Sequence, residues 1–131
     1  MIFADTSFWV ALGNSKDDWH DAAKELWAAK PSVVLTSNHV VGETWTILNR
    51  RCGHRIAASS AAIRESAHVR VEHVTAELEE QSWRWLLKHD EREYSFVDAT
   101  SFALMRHKKI LNAYAFDGDF TAAGFIEQRP H

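Results

Sequence analysis

The chain has 131 residues, 46% hydrophobic and 25% charged, the balance of an ordinary globular protein rather than a disordered or fibrous one. Fifteen Lys and Arg against 18 Asp and Glu leave a formal net charge of −3, so no overall basic field marks a nucleic-acid binder. The one cysteine, Cys52, excludes an internal disulfide framework and a four-cysteine zinc site, and the apolar run 8–12 is too short for a signal sequence or a membrane span. A single domain over residues 1–131, in the cytoplasm and away from membranes, is the expectation.

Residues 2–4 read as a short apolar strand, which Asp5 ends directly in Ile-Phe-Ala-Asp-Thr-Ser before a helix over 7–12. A helix over 18–29 and a strand over 33–36 follow. Ser37 is a candidate N-cap for a helix over 38–52, and a further helix is expected over 55–66. A strand over 69–74 leads into a helix over 76–88 capped by Thr75, then one over 96–107 capped by Ser95. Strands over 113–116 and 125–127 complete the pattern. No stretch has linker composition and no repeat is present. Strands alternating with helices imply an α/β fold with a parallel sheet covered on both faces, in which chemistry collects beyond the carboxyl ends of the strands.

Several carboxylates fit a plain surface poorly. Asp5 projects from the end of the first strand, where it would also serve as an N-cap. Asp117 and Asp119 follow the fourth strand in Ala-Phe-Asp-Gly-Asp-Phe, a sequence equally at home in a turn. Glu43 borders the apolar stripe of Val40, Thr44, Ile47 and Leu48, as a snorkelling edge residue also would. Asp98 is the only charge in Tyr-Ser-Phe-Val-Asp-Ala-Thr-Ser-Phe-Ala-Leu-Met, where it also suits the first turn of a helix. If these acids converge, their mutual repulsion requires protons or a cation. An all-oxygen set suits Mg2+ or Mn2+, typical partners of phosphate esters.

With these motifs in this order, the chain resembles the PIN-domain nucleases along essentially its whole length, and especially the short toxin ribonucleases of the VapBC toxin-antitoxin type. The carrying segments are Asp5-Thr6-Ser7, Glu43 in Val-Val-Gly-Glu-Thr, Asp98-Ala99 and Asp117-Gly118-Asp119-Phe120. The resemblance implies a three-layer α/β/α sandwich with a central parallel sheet, metal-dependent endoribonuclease activity, a homodimer, and an antitoxin that often offers an arginine to the acidic pocket. Many relatives carry a hydroxyl residue where this chain has Ala115, so no hydroxyl role transfers there.

On this reading Asp5, Asp98 and Asp117 hold the metal and Glu43 completes the cluster or positions water. Asp119 serves a second ion or the outer shell, or caps a short helix near Thr121, and Thr6 or Ser7 adds a hydrogen bond. Hydrolysis by metal-activated water leaves a 5′ phosphate and a 3′ hydroxyl. Arg50, Arg51 and Arg55, with Lys108 and Lys109, are candidates to hold the RNA backbone, and equally serve as solvated helix ends. Trp9 and Trp45 are conceivable stacking platforms for unpaired bases, core packing being the alternative, and His39 lies one turn before Glu43. Two rivals stand beside this reading. One is an aspartyl-phosphate phosphotransferase or phosphatase using Asp5, although Ser7 stands where such enzymes want a second aspartate. The other is a catalytically silent PIN scaffold that binds RNA or a protein.

Overall fold

The apolar runs of the sequence become five strands that join one all-parallel sheet in the order β3-β2-β1-β4-β5. The computed structural model describes Met1–His131. In chain order the elements are β1 (Ile2–Ala4), α1 (Thr6–Gly13), α2 (His20–Ala28), β2 (Val34–Ser37), α3 (Asn38–Cys52) and α4 (His54–Ser60). A 3-10 turn over Ala61–Glu65 precedes β3 (Val69–Glu72), α5 (Ala76–Lys88), α6 (Phe96–Lys108), β4 (Asn112–Tyr114), α7 (Asp119–Ala122) and β5 (Ile126–Glu127).

Successive connections step from β1 to β2 to β3, then jump back past β1 to β4 and onward to β5. Because parallel crossovers are right-handed, this reversal puts α1 to α4 on one face and α5 to α7 on the other. The packing agrees: α1 lies against α2, α3 and α4, while α6 lies against α5 and α7. Side chains alternate accordingly. Tyr114 faces the first layer, where its ring meets Phe8 at 4.8 Å and its hydroxyl donates to the Leu26 carbonyl. Phe3 faces the second, against Phe120, which with Trp85, Phe102 and Phe125 forms an aromatic cluster under α6.

Several boundaries differ from the sequence reading, each for a local reason. The helix expected over 55–66 tightens after Ser60, because the hydroxyls of Ser59 and Ser60 donate back to the carbonyls of Ile56 and Ala57 at 2.6 Å. The helix expected from Asp18 starts at His20, after a turn in which the Asp17 carboxylate accepts from the Trp19 N–H at 2.8 Å. The third strand stops at Glu72, two residues short, and the Val74 N–H donates to the Asn38 side chain instead. The fourth strand ends at Tyr114 rather than Phe116: the Phe116 N–H donates to Ser7 Oγ, and the Ala115 carbonyl accepts from Arg129. The last strand begins at Ile126, one residue late, with the Phe125 N–H given to the Phe120 carbonyl. Ser37, Thr75 and Ser95 all cap their helices as expected. No helix is long and apolar enough to cross a membrane.

Candidate active site

β1 and β4 are neighbours whose onward connections leave to opposite faces of the sheet, so a crevice opens beyond their carboxyl ends. Asp5 follows β1 and Asp117 follows β4 by three residues. The Asp5 N–H still donates to the Tyr114 carbonyl, holding the two ends together. Asp98 enters from above, on the first turn of α6.

Each of the three acids is fixed through one carboxylate oxygen. Asp5 caps α1, its Oδ2 accepting from the Ser7 N–H at 3.1 Å and the Ser7 hydroxyl at 2.8 Å. Asp98 and Ser95 form a reciprocal capping box, with Asp98 Oδ2 accepting from the Ser95 N–H at 3.0 Å. Asp117 Oδ1 accepts from the Asp119 N–H at 3.2 Å, across a turn in which Gly118 takes a φ of 85°, a backbone region that favours glycine. The innocent roles foreseen for these residues are therefore real, yet they engage only half of each carboxylate. One oxygen from each of Asp5, Asp98 and Asp117 lies within 4.8 Å of the others. Asp5 Oδ1 is buried with no hydrogen-bond partner, and so is Thr6 Oγ1 beside it.

The charges are correspondingly strained. Burial pushes the Asp5 carboxyl well above the ordinary range, with the negative fields of Asp117 and Asp98 adding to the rise against the Ser7 hydrogen bonds. Burial also raises Asp98, to about 7, despite the stabilising bonds from Ser95 and with further repulsion from Asp117 and Asp119. Asp117, the most exposed of the three, is raised by desolvation and then by its neighbours Asp119 and Glu127. The three open into a hollow with about 340 Å3 of water-accessible space, whose walls include Thr6, Ser7, Glu43 and Arg51.

A PIN domain family model matches residues 2–126. The chain belongs to the PIN-domain family. Two proteins named 23S rRNA-specific endonuclease VapC20, from Mycobacterium tuberculosis strains CDC 1551 / Oshkosh and ATCC 25618 / H37Rv, are each 75% identical to it over 130 residues, 99% of both chains. A crystal structure of Mycobacterium tuberculosis VapC20, described as a sarcin-ricin loop cleaving toxin, superposes with a TM-score of 0.97 at 73% identity. It covers 99% of this chain and 100% of that one.

Within this PIN domain the remaining candidates separate clearly. Glu43 lines the hollow from α3, half-buried, and stands outside the group of three close acids. Ser7 bridges the ends of β1 and β4, donating to Asp5 and accepting from the Phe116 N–H at 3.0 Å. Asp119 does not cap α7. Gly118 occupies the cap position, the Thr121 N–H donates to Glu127, and Asp119 pairs with Arg92 at 2.8 Å. Of the basic candidates, Arg51 alone reaches the hollow, and Arg50 and Arg55 lie exposed outside its lining. Lys108 and Lys109 are brought elsewhere: they end and cap the 13-residue α6 at its far end and line a separate depression with Arg70 and Glu72, Lys108 pairing with Glu72 at 3.4 Å. His39 pairs with Glu79 at 3.5 Å and stands edge-on to Phe96, outside the hollow. Trp9 is buried with its indole N–H given to Thr36, and Trp45 packs beside His54, so neither presents a face at the site.

Four residues at the site escaped sequence reasoning. Arg92 donates to the Asp119 carboxylate and the Asp117 carbonyl, clamping the turn between them. Glu127, its side chain 3% exposed, accepts from the Gly118 and Thr121 N–H groups. Arg129 donates to the Ala115 carbonyl at 2.8 Å, so the backbone of the position that lacks a hydroxyl is used instead. Trp19 lines the hollow, stacked on Phe116. Only Glu127 carried any sequence signal, as an acid within a short edge strand.

Proposed function

We propose that the chain is the toxin of a toxin-antitoxin pair, an endoribonuclease that hydrolyses a phosphodiester in the sarcin-ricin loop of 23S ribosomal RNA. The names of its relatives support the substrate. One observation carries the chemistry: Asp5, Asp98 and Asp117, from three separate segments, each have one oxygen held in a cap or turn, and one carboxylate oxygen of each lies within 4.8 Å of the others.

The residues present fit a hard divalent cation. The donor set is all oxygen, and Asp5 Oδ1 is buried without a partner, a costly arrangement that coordination would relieve. Asp5, Asp98 and Asp117 would hold Mg2+, with Mn2+ able to replace it. Bound there, the ion would supply activation of water and offset of charge on a phosphoryl oxygen.

The chain's own groups supply the positioning. Ser7 fixes the Asp5 carboxylate and ties β1 to β4, while the Arg92 clamp holds the turn bearing Asp117. Glu43, across the hollow, accepts a hydrogen bond from the attacking water and orients it toward phosphorus. The free Thr6 hydroxyl bonds substrate or an ordered water, and Arg51 on the rim attracts the RNA backbone that the acids repel. The products carry a 5′ phosphate and a 3′ hydroxyl. An antitoxin that places an arginine in the acidic hollow inhibits the enzyme, the toxin pairs with a second copy of itself, and both act in the cytoplasm.

An RNA hairpin carrying the sarcin-ricin loop tests this reading when incubated with the protein in Mg2+ or EDTA, beside Asp5→Asn and Asp98→Asn variants shown to be folded. Cleavage should require the metal and both acids. Cleavage indifferent to EDTA and to both substitutions overturns the mechanism, and a covalent phosphate on Asp5 assigns the chain to phosphotransfer.

A further inference from the structure

Six large apolar side chains remain substantially exposed: Met1, Trp19, Trp83, Leu87, Leu111 and Ile126. Of these only Trp19 lines the acidic hollow. It is 40% exposed, and one of its faces lies on the Phe116 ring, with centroids 4.9 Å apart and planes within 2°. Its exposed surface is the part of the indole that Phe116 and the Arg129 guanidinium over the ring leave uncovered.

The surroundings hold this indole still. The Trp19 backbone N–H is tied to the Asp17 carboxylate at 2.8 Å where α2 begins, and Phe116, on which the ring stacks, is itself buried and bonded through its backbone N–H to Ser7. The Arg129 guanidinium sits 4.8 Å from the Trp19 centroid and 5.2 Å from that of Phe116. It is anchored there by the Ala115 and Gln128 carbonyls and by Glu127. An aromatic face that is rigid, wet and beside a cation is pre-organised for a flat anionic ligand, because little ordering remains to be done on binding.

We infer that Trp19 and Arg129 form a nucleotide-binding platform, the indole receiving one unpaired RNA base and the guanidinium the phosphate attached to it, beside the bond that is cut. This rests on the ribonuclease reading above. A nucleotide offers a π face and a negative charge together, which is what this pair complements. An acidic peptide lacks the π face, and a basic peptide is repelled by Arg129. The platform adds a specificity element that the acids cannot provide, since a carboxylate cluster is indifferent to base identity and to whether a base is stacked in a helix.

The test separates binding from chemistry. A labelled sarcin-ricin hairpin is titrated with Asp5→Asn protein, which keeps the RNA intact, while an abasic site is moved through the loop one position at a time. Fluorescence anisotropy should show binding weakened about tenfold at one position, the ordinary worth of one base stacked on an aromatic ring. Adding Trp19→Leu should weaken the intact hairpin by a similar factor and abolish the sensitivity at that position alone, whereas Trp19→Phe should keep much of both. Arg129→Gln should lower the salt dependence of binding.

A flat abasic profile overturns the platform, and because it uses no Trp19 variant, misfolding cannot produce it. An unchanged profile in folded Trp19→Leu also overturns it and leaves the indole to packing or to a protein contact. Cleavage of the hairpin by the unsubstituted protein in Mg2+ is scored separately, so failure of the nuclease reading is distinguishable from failure of the platform.

Discussion

Asp5 combines a structural role with a proposed chemical one. Its Oδ2 caps α1, its Oδ1 is buried without a hydrogen-bond partner, and the carboxylate lies beside those of Asp98 and Asp117. Asparagine retains the cap acceptor but removes the charge. Asp5→Asn should therefore raise the metal-free melting temperature by several degrees while lowering cleavage by at least about 100-fold, since even outer-shell changes at metal sites cost about 10- to 100-fold. Thermal unfolding in EDTA and single-turnover cleavage in Mg2+ measure the two halves. Asp98 gives the matching pH dependence. Its folded pKa of about 7 lies above the ordinary carboxylate value, so between those limits the folded protein holds a proton that the unfolded chain releases. Stability without metal should fall as pH rises from about 4 to about 7, less steeply in Asp98→Asn, and Mg2+ should flatten the slope because it binds the charged form. Melting curves across that range, with and without Mg2+, check it, and a metal-free stability that rises through the window contradicts it.

At the scale of elements, the site is made by ends. The caps of α1 and α6 hold Asp5 and Asp98, and the turn into α7 holds Asp117. Ser95→Ala removes half of the capping box and should cost about 1 kcal/mol of stability. It should also lower the rate of cleavage with little change in KM, because the anchor it loses holds Asp98, proposed as a metal ligand, rather than the RNA. Chemical denaturation and steady-state kinetics check the two effects. Caps were readable from sequence because they are local: Ser95 and Asp98 lie three residues apart on one helix. Lys108 and Lys109, expected to hold the RNA backbone, lie outside the acidic hollow for a related reason. Following the Asp98 helix in sequence puts them at its far end, about 15 Å of helix from Asp98 at 1.5 Å per residue. Strand ends at Tyr114 and Glu72 were also missed, because side chains distant in sequence, Ser7 and Asn38, take the N–H groups that would have continued the ladders.

For the molecule as a whole, the order β3-β2-β1-β4-β5 matters more than any boundary. It makes β1 and β4 neighbours across the reversal of winding, and so unites residues 5 and 117. The parallel sheet and the convergence of the acids were legible because strand-end acids and buried helix-face acids are both unusual enough to stand out. The rim was not. Trp19 and Arg92 acquire their roles through partners at least 25 residues distant, Glu127 and Arg129 through the turn and strand end 6 to 14 residues before them, and nothing in their immediate sequence marks them, Glu127 excepted. The central claim is that the fold gathers three carboxylates to bind one divalent ion. Anomalous difference density from a crystal grown or soaked in Mn2+ tests it most directly. A peak should stand among the side chains of Asp5, Asp98 and Asp117 and vanish in Asp98→Asn. A crystal of protein that cleaves RNA in Mn2+ yet shows no such peak, or shows the ion bound elsewhere, contradicts the account.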